Sequence, residues 1–188
     1  MNDEGPTAML IELLETHHIS DELECRHKER TLQFLRDGFA CTSRATMSGH
    51  IVASAWVLSP DHQSSLLTMH KKLGRWLQLG GHIEDGETVR DAALREVREE
   101  SGIPDLAFLT EGLLDIDVHS IPANRREPEH LHFDFRFLLH ARTPRFRVSD
   151  ESNKLAWVSF ADIESMTTDE SIIRMARKAR AFLLDRGV

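Results

Sequence analysis

The sequence of 188 residues predicts an α/β (α+β) protein, a layered mixed sheet with helices on both faces and a helical N-terminal extension. Three observations carry that prediction. Short apolar runs bounded by turn residues recur at 50–58, 65–69, 130–140 and 155–158, as strands do. Apolar residues at helical spacing mark 7–37, 89–101 and 168–185. Strands and helices of crossover length are interleaved, and neither internal repeats nor low-complexity segments interrupt them.

The extension, residues 1–47, opens on TAMLIELLE, whose stripe is Met9, Leu10, Leu13 and Leu14. A second helical run follows, capped by Ser20, with Leu23, His27, Leu32 and Leu35 inward and Gly38 as its stop. Adjacent His17 and His18 point about 100° apart on a helix, which favours a structural role over a shared ion. These helices pack on the main domain (48–188) or on a second subunit, which leaves room for a homodimer.

HIVASAWVL (50–58) reads as a buried strand stopped by Ser59-Pro60-Asp61, and SLLTM (65–69) as its neighbour. Trp76–Leu79 is extended and leads into Gly80-Gly81, with Trp76 placed under that glycine turn. Thr88 with Asp91 resembles a capping box, and Val89, Ala93 and Val97 form the buried stripe of the next helix. Leu106–Val118 is strand-like; Pro122 and NRREPE form an exposed loop. In HLHFDFRFLLH (130–140), Leu131, Phe133, Phe135 and Phe137 face the core. His130, His132, Asp134 and Arg136 share the other face, a cleft wall or a solvated surface. LAWV (155–158) is the last strand. The closing helix turns Ile172, Met175, Ala179, Phe182 and Leu183 inward.

One stretch is electrostatically odd: GHIEDGETVRDAALREVREESGI, Gly81 to Ile103. Glu96, Glu99 and Glu100 are spaced i, i+3, i+4 and share a helical face. Glu99 and Glu100 fall in the last turn before Gly102 and Pro104, at the negative end of the helix dipole. An anion there costs about 0.3–1 kcal/mol. Carboxylates converging at such an end imply a cation among them.

Composition narrows the partners. The net charge of -8 argues against a duplex nucleic-acid surface. It is compatible with a small phosphorylated substrate bridged through a divalent ion. Cys25 and Cys41 show no metal or disulfide spacing and read as reduced thiols. No secretory pattern and no apolar run of about 18 residues appears, so no membrane partner is expected and the cytoplasm is the default compartment.

The Gly81–Ile103 stretch resembles the signature of the Nudix hydrolases. Gly81, Glu87, Arg95, Glu96, Val97, Glu99, Glu100, Gly102 and Ile103 match every fixed position of that pattern. GRWLQLGGHIE, KLAWVSF and the closing helix also resemble the family, over roughly 48–188. The resemblance implies a Nudix-type α/β/α sandwich around a mixed sheet. It also implies cleavage of the pyrophosphate bond of a nucleoside diphosphate linked to another moiety. Magnesium, with manganese as an alternative, would be held by Glu96, Glu99 and Glu100 together with a backbone carbonyl of Gly80 or Gly81. Arg95 would orient the glutamates, bridging Asp91 and Glu99 at i, i+4, and Glu87 would support them from the loop. Glu151, before the last strand, matches a place where some members carry a further ligand or base. His130, His132, Asp134 and Arg136 are the candidate substrate contacts, with a His-x-His metal site as a minority alternative. Lys71, Lys72 and Arg75 precede the signature and could meet phosphate. Two other functions stay open: a silent binding module, which would be expected to lose part of the motif, and a prenyl-diphosphate isomerase, which needs a cysteine and a glutamate in the cleft.

Overall fold

In a computed structural model of the chain, the described residues form five helices and eight strands, the strands in one curled mixed sheet with helices on both faces. The structure describes residues 5–19, 21–38, 40–71, 74–123, 127–148, 152–167 and 169–187. Helices α1 (Pro6–Glu15) and α2 (Glu22–Arg36) precede strands β1 (Gly49–Leu58), β2 (Ser64–His70), β3 (Trp76–Leu77) and β4 (Leu79–His82). Helix α3 (Val89–Ser101), strands β5 (Leu106–Phe108), β6 (Asp115–Ile121), β7 (His130–Ala141) and β8 (Ser152–Ser159), and helices α4 (Phe160–Met166) and α5 (Glu170–Asp185) complete it.

β1 and β7 form the centre and run parallel, Gly49 opposite Leu131 through Leu58 opposite His140. Every other pairing is antiparallel: β2 and β4 on β1, β3 and β8 on β2, β5 and β6 on β7. Alternation along the central pair divides the interior. Ile51, Ala53, Ala55, Val57, Phe133, Phe135 and Phe137 enter a core closed by α1, α2 and α3. Trp56, Leu58 and Leu138 enter a second core under α4 and α5. Between these cores, toward the N-terminal end of β1 and β7, the second face turns polar with His50, Ser54, His132 and Asp134.

The extension packs on this sheet. Leu10, Leu14, Phe34 and Leu35 join the first core, and the Phe34 ring stacks on Phe133 at 4.2 Å between centroids. Leu13 and Leu32 pack against the same core as expected, and two of the expected inward positions differ. Leu23 and Met9 are exposed, whereas Glu24 and Thr31 are fully buried. Glu24 tolerates that position because Lys178 of α5 and His17 meet its carboxylate. Asp21 is the N-cap of α2, its Oδ1 accepting the Glu24 N–H at 2.9 Å; Ser20 lies outside the described residues.

Other expectations shift too. Trp76 packs against the second core beside α4, away from the glycine turn. The α4 helix was not anticipated, although Ser159 and Asp162 cap it as Thr88 and Asp91 cap α3. Thr168, expected to open the last helix, lies outside the described residues, and Asp169 caps that helix. Among the described residues no helix is long and apolar enough to cross a membrane.

Candidate active site

Helix α3 is delimited as its sequence requires. The Thr88 hydroxyl accepts the Asp91 N–H at 3.1 Å, and Gly102 adopts φ 65, a left-handed stop that favours glycine. Val89, Ala93 and Val97 are buried, together with Ala92 and Ser101. The opposite face leaves Glu96, Glu99 and Glu100 on one wall of a cleft of about 880 Å³.

Strand β4 holds that wall at very short range. A Cβ on Gly80 would lie 2.3 Å from the Ser54 Cβ, and one on Gly81 only 2.5 Å from Glu96 Oε1. The first contact is against the sheet itself. The second is against the mobile end of a side chain, so it displaces the carboxylate without breaking the fold. Gly81→Ala is therefore expected to keep the melting temperature within a few degrees. Binding of a divalent cation at the glutamate wall should weaken at least about tenfold, since a misplacement of about 1 Å can cost more than that. A magnesium-binding titration of the variant beside the parent chain checks this, and unchanged binding refutes it. Glu100 is also tied to the turn, its Oε1 accepting the Gly80 N–H at 2.9 Å.

Arg95 is the hub of the wall. It donates to both Glu87 oxygens at 3.0 Å, to Glu96 Oε1 at 2.9 Å, to Glu99 Oε2 at 3.2 Å and to the His82 carbonyl at 2.8 Å. The paired bonds to Glu87 give a planar fork on a carboxylate. Glu87 also accepts the Glu84 N–H at 3.1 Å, and the Arg95 bonds hold its pKa below the ordinary value. Asp91 does not join this set; its side chain is engaged by Thr88 at 2.6 Å.

The polar face of β7 divides. His132 and Asp134 line the cleft. Asp134 Oδ1 accepts from Ser54 at 2.8 Å and Oδ2 from Gln78 at 3.0 Å. Arg136 turns away and is buried among Asp134, Asp115 and Asp117 at 2.7, 3.3 and 3.2 Å. Alternation placed Arg136 on the correct face, but β6 supplies partners there that local spacing does not reveal. His130 lies behind His132, its Nδ1 2.8 Å from the Pro128 carbonyl oxygen. Glu151 and Lys72 lie outside the described residues. Arg75 lines a separate hollow with Trp76 and Asp169.

Cleft residues that sequence reasoning passed over are Ser54, Gln78, Arg44 and His119. Only Gln78 had a signal, its place between the tryptophan and the glycine turn. His82 also lines the cleft. Cys41 is buried in the first core, and burial raises its thiol pKa, so no cysteine stands in the cleft among its described lining.

Burial, followed by neighbouring cationic groups, lowers His50 and His82 to about 4; for His132, burial and the surrounding imidazoles lower it to about 2. Protonation of these groups therefore favours the unfolded chain. The stability they permit is complete above the ordinary value of 6.5 and declines as pH falls from there toward 4. The melting temperature should drop between about pH 7 and about pH 5, before the carboxylates titrate. A flat profile over that window contradicts this account.

The oxygen-only donors of Glu96, Glu99 and Glu100, beside the backbone at Gly80 and Gly81, suit a hard divalent cation such as magnesium. Fold and site together define a class: a mixed-sheet domain with helix-borne carboxylates braced by an arginine fork at a cleft. The family model of the NUDIX domain matches residues 49–178. The chain belongs to the Nudix hydrolase family.

It is 29% identical over 113 residues to the uncharacterized Nudix hydrolase YvcI of Bacillus subtilis, covering 58% of this chain and 66% of that protein. It is 41% identical over 61 residues to a probable DHNTP pyrophosphohydrolase of Lactococcus lactis, covering 31% of this chain and 36% of that protein. A C. elegans Ap4A hydrolase binary complex superposes with a TM-score of 0.59 over 72% of this chain and 98% of that one. At 20% identity this last likeness is one of fold.

Proposed function

We propose that this protein is a divalent-metal-dependent pyrophosphohydrolase that cleaves a nucleoside diphosphate linked to another moiety. The observation that carries the reading is the gathering of Glu96, Glu99 and Glu100 on one cleft wall under the Arg95 fork. The name of one relative, a probable DHNTP pyrophosphohydrolase, supports the reaction class. Glu96, Glu99, Glu100 and the Gly80–Gly81 backbone would hold magnesium, or manganese in its place, and the bound ion would supply charge neutralisation for the diphosphate and a more acidic water.

The chain's own residues do the rest. Arg95 fixes the rotamers of Glu96 and Glu99, and Glu87 fixes Arg95. One of the three wall carboxylates takes the proton of the attacking water, a role that requires it to lie within hydrogen-bond reach of that water. His132 and Asp134 contact the remainder of the substrate, with Ser54 and Gln78 holding Asp134. Residues 48–188 carry this activity, and 1–47 brace the sheet. The cytoplasm, where magnesium and nucleotides coexist, is the compartment proposed.

The test is a substrate panel with magnesium: nucleoside triphosphates, nucleotide sugars, dinucleoside polyphosphates, coenzyme A and NAD. Hydrolysis of at least one class is expected, lost on EDTA and restored by magnesium. Hydrolysis in ¹⁸O-water then identifies the phosphorus attacked. Absence of turnover across the panel, or turnover indifferent to EDTA, overturns the proposal.

A further inference from the structure

Five histidines from four strands meet beside the cleft. The parallel β1–β7 register sets His50 opposite His132, and the antiparallel β6–β7 register sets His119 opposite His132. The β1–β4 pairing brings in His82 beside Val52. Within this group His50, His130 and His132 form a nearly equilateral triangle, with ring centroids 5.0, 4.8 and 5.2 Å apart. One nitrogen from each lies within 4.8 Å of the others.

Two details make this a ligand geometry rather than a stack of rings. His130 Nε2 and His132 Nε2 are 3.4 Å apart. Two imidazole nitrogens bound tetrahedrally at about 2.0–2.1 Å stand roughly that far from each other. His130 Nδ1 is 2.8 Å from the Pro128 carbonyl oxygen, so Nδ1–H donates there and Nε2 keeps its lone pair, as ligating histidines are held. A hydrogen bond between His130 and His132 would account for that pair alone. It leaves His50, which is 1% exposed and has both ring nitrogens buried without a hydrogen-bond partner among the described residues. A buried polar group left unpaired is costly, and an ion beside it removes the cost.

We propose that His50, His130 and His132 form a trihistidine site for a divalent transition ion of the zinc class. Three imidazoles without a carboxylate select zinc, cobalt or nickel over magnesium, the reverse of the glutamate wall. His132 belongs to both the trio and the cleft lining, so the ion stands at the edge of the cleft. The site shares His132 with the proposed substrate contacts, but metal binding there does not require that reaction and survives its failure.

The full chain, stripped with EDTA, is titrated with cobalt(II) in millimolar magnesium. One equivalent per chain is expected, with the strong visible absorption of four-coordinate, nitrogen-ligated cobalt, displaced by zinc and not by magnesium. His130→Gln and His132→Gln should each weaken binding at least about 100-fold, more than the loss of an outer-shell partner does. Glu99→Gln should leave it unchanged. Circular dichroism checks that each variant folds; should His132→Gln unfold, His130→Gln, at the end of β7, decides alone. Lack of saturation at one equivalent, a pale six-coordinate spectrum, or binding lost in Glu99→Gln but kept in the histidine variants overturns the assignment.

Discussion

Glu99→Gln is expected to lower kcat/KM by about three orders of magnitude while leaving the melting temperature within a few degrees. The change keeps the shape of the side chain and removes its charge. Electrostatic help from a bound divalent ion amounts to several kcal/mol, and about 1.4 kcal/mol is a factor of ten, which sets the magnitude. The structural cost is small because the Glu99 side chain is 61% exposed and meets Arg95 Nη1 at 3.2 Å as an i,i+4 pair. Such pairs contribute about 0.3–0.5 kcal/mol, and easing the repulsion with its glutamate neighbours offsets part of that. Glu96 and Glu100 make poorer probes, since one abuts Gly81 and the other holds the Gly80 N–H. Steady-state kinetics on a substrate from the panel, beside thermal unfolding, gives the answer. An unchanged rate removes Glu99 from the metal-binding set.

Arg136→Leu is expected to destabilise the fold by about 3–5 kcal/mol, the usual consequence of removing one partner from a buried ion cluster. Arg136 bridges Asp115, Asp117 and Asp134, all with side chains 8% exposed or less. Arg174 of α5 covers Asp115 at 2.8 Å and Asp117 at 3.1 Å, and His27 of α2 reaches Asp117 at 3.0 Å. Leucine would leave three buried carboxylates to Arg174, Lys178 and neutral hydrogen-bond donors. Burial already raises Asp115 despite Arg174 and Arg136. On Asp117 burial is outweighed by Arg136 and by bonds from His119 and His27, so its pKa falls below the ordinary value. In a chain of this size the melting temperature should fall by about 6–20 °C. The same cluster ties α2 and α5 to β6, so the loss should appear as one cooperative shift. A shift under about 2 °C by calorimetry would falsify the account of the cluster.

Much of the carboxylate wall was legible in the sequence because its determinants are local. The spacing of Glu96, Glu99 and Glu100 puts them on one face, Thr88 and Gly102 set the ends of α3, and Arg95 lies one turn before Glu99. The clean alternation at 130–137 likewise identified the core face of β7. Where local pattern and tertiary context conflicted, context prevailed. The apolar Leu23 looked inward, yet α2 turns Glu24 inward because Lys178 and His17 meet it there.

The sequence by itself determined the family, most of the strand and helix order, and the carboxylate wall, since helical period, caps and glycine stops act within a few residues. Only the tertiary structure decided the rest. It set Arg136 in a buried cluster with residues from β6 and α5, gave Asp134 its Ser54 and Gln78 partners, and brought five histidines to one corner. Those neighbours come from strand register and helix docking between segments tens of residues apart. The sum of buried surface and paired charge over the whole chain selects that register, and no single stretch encodes it.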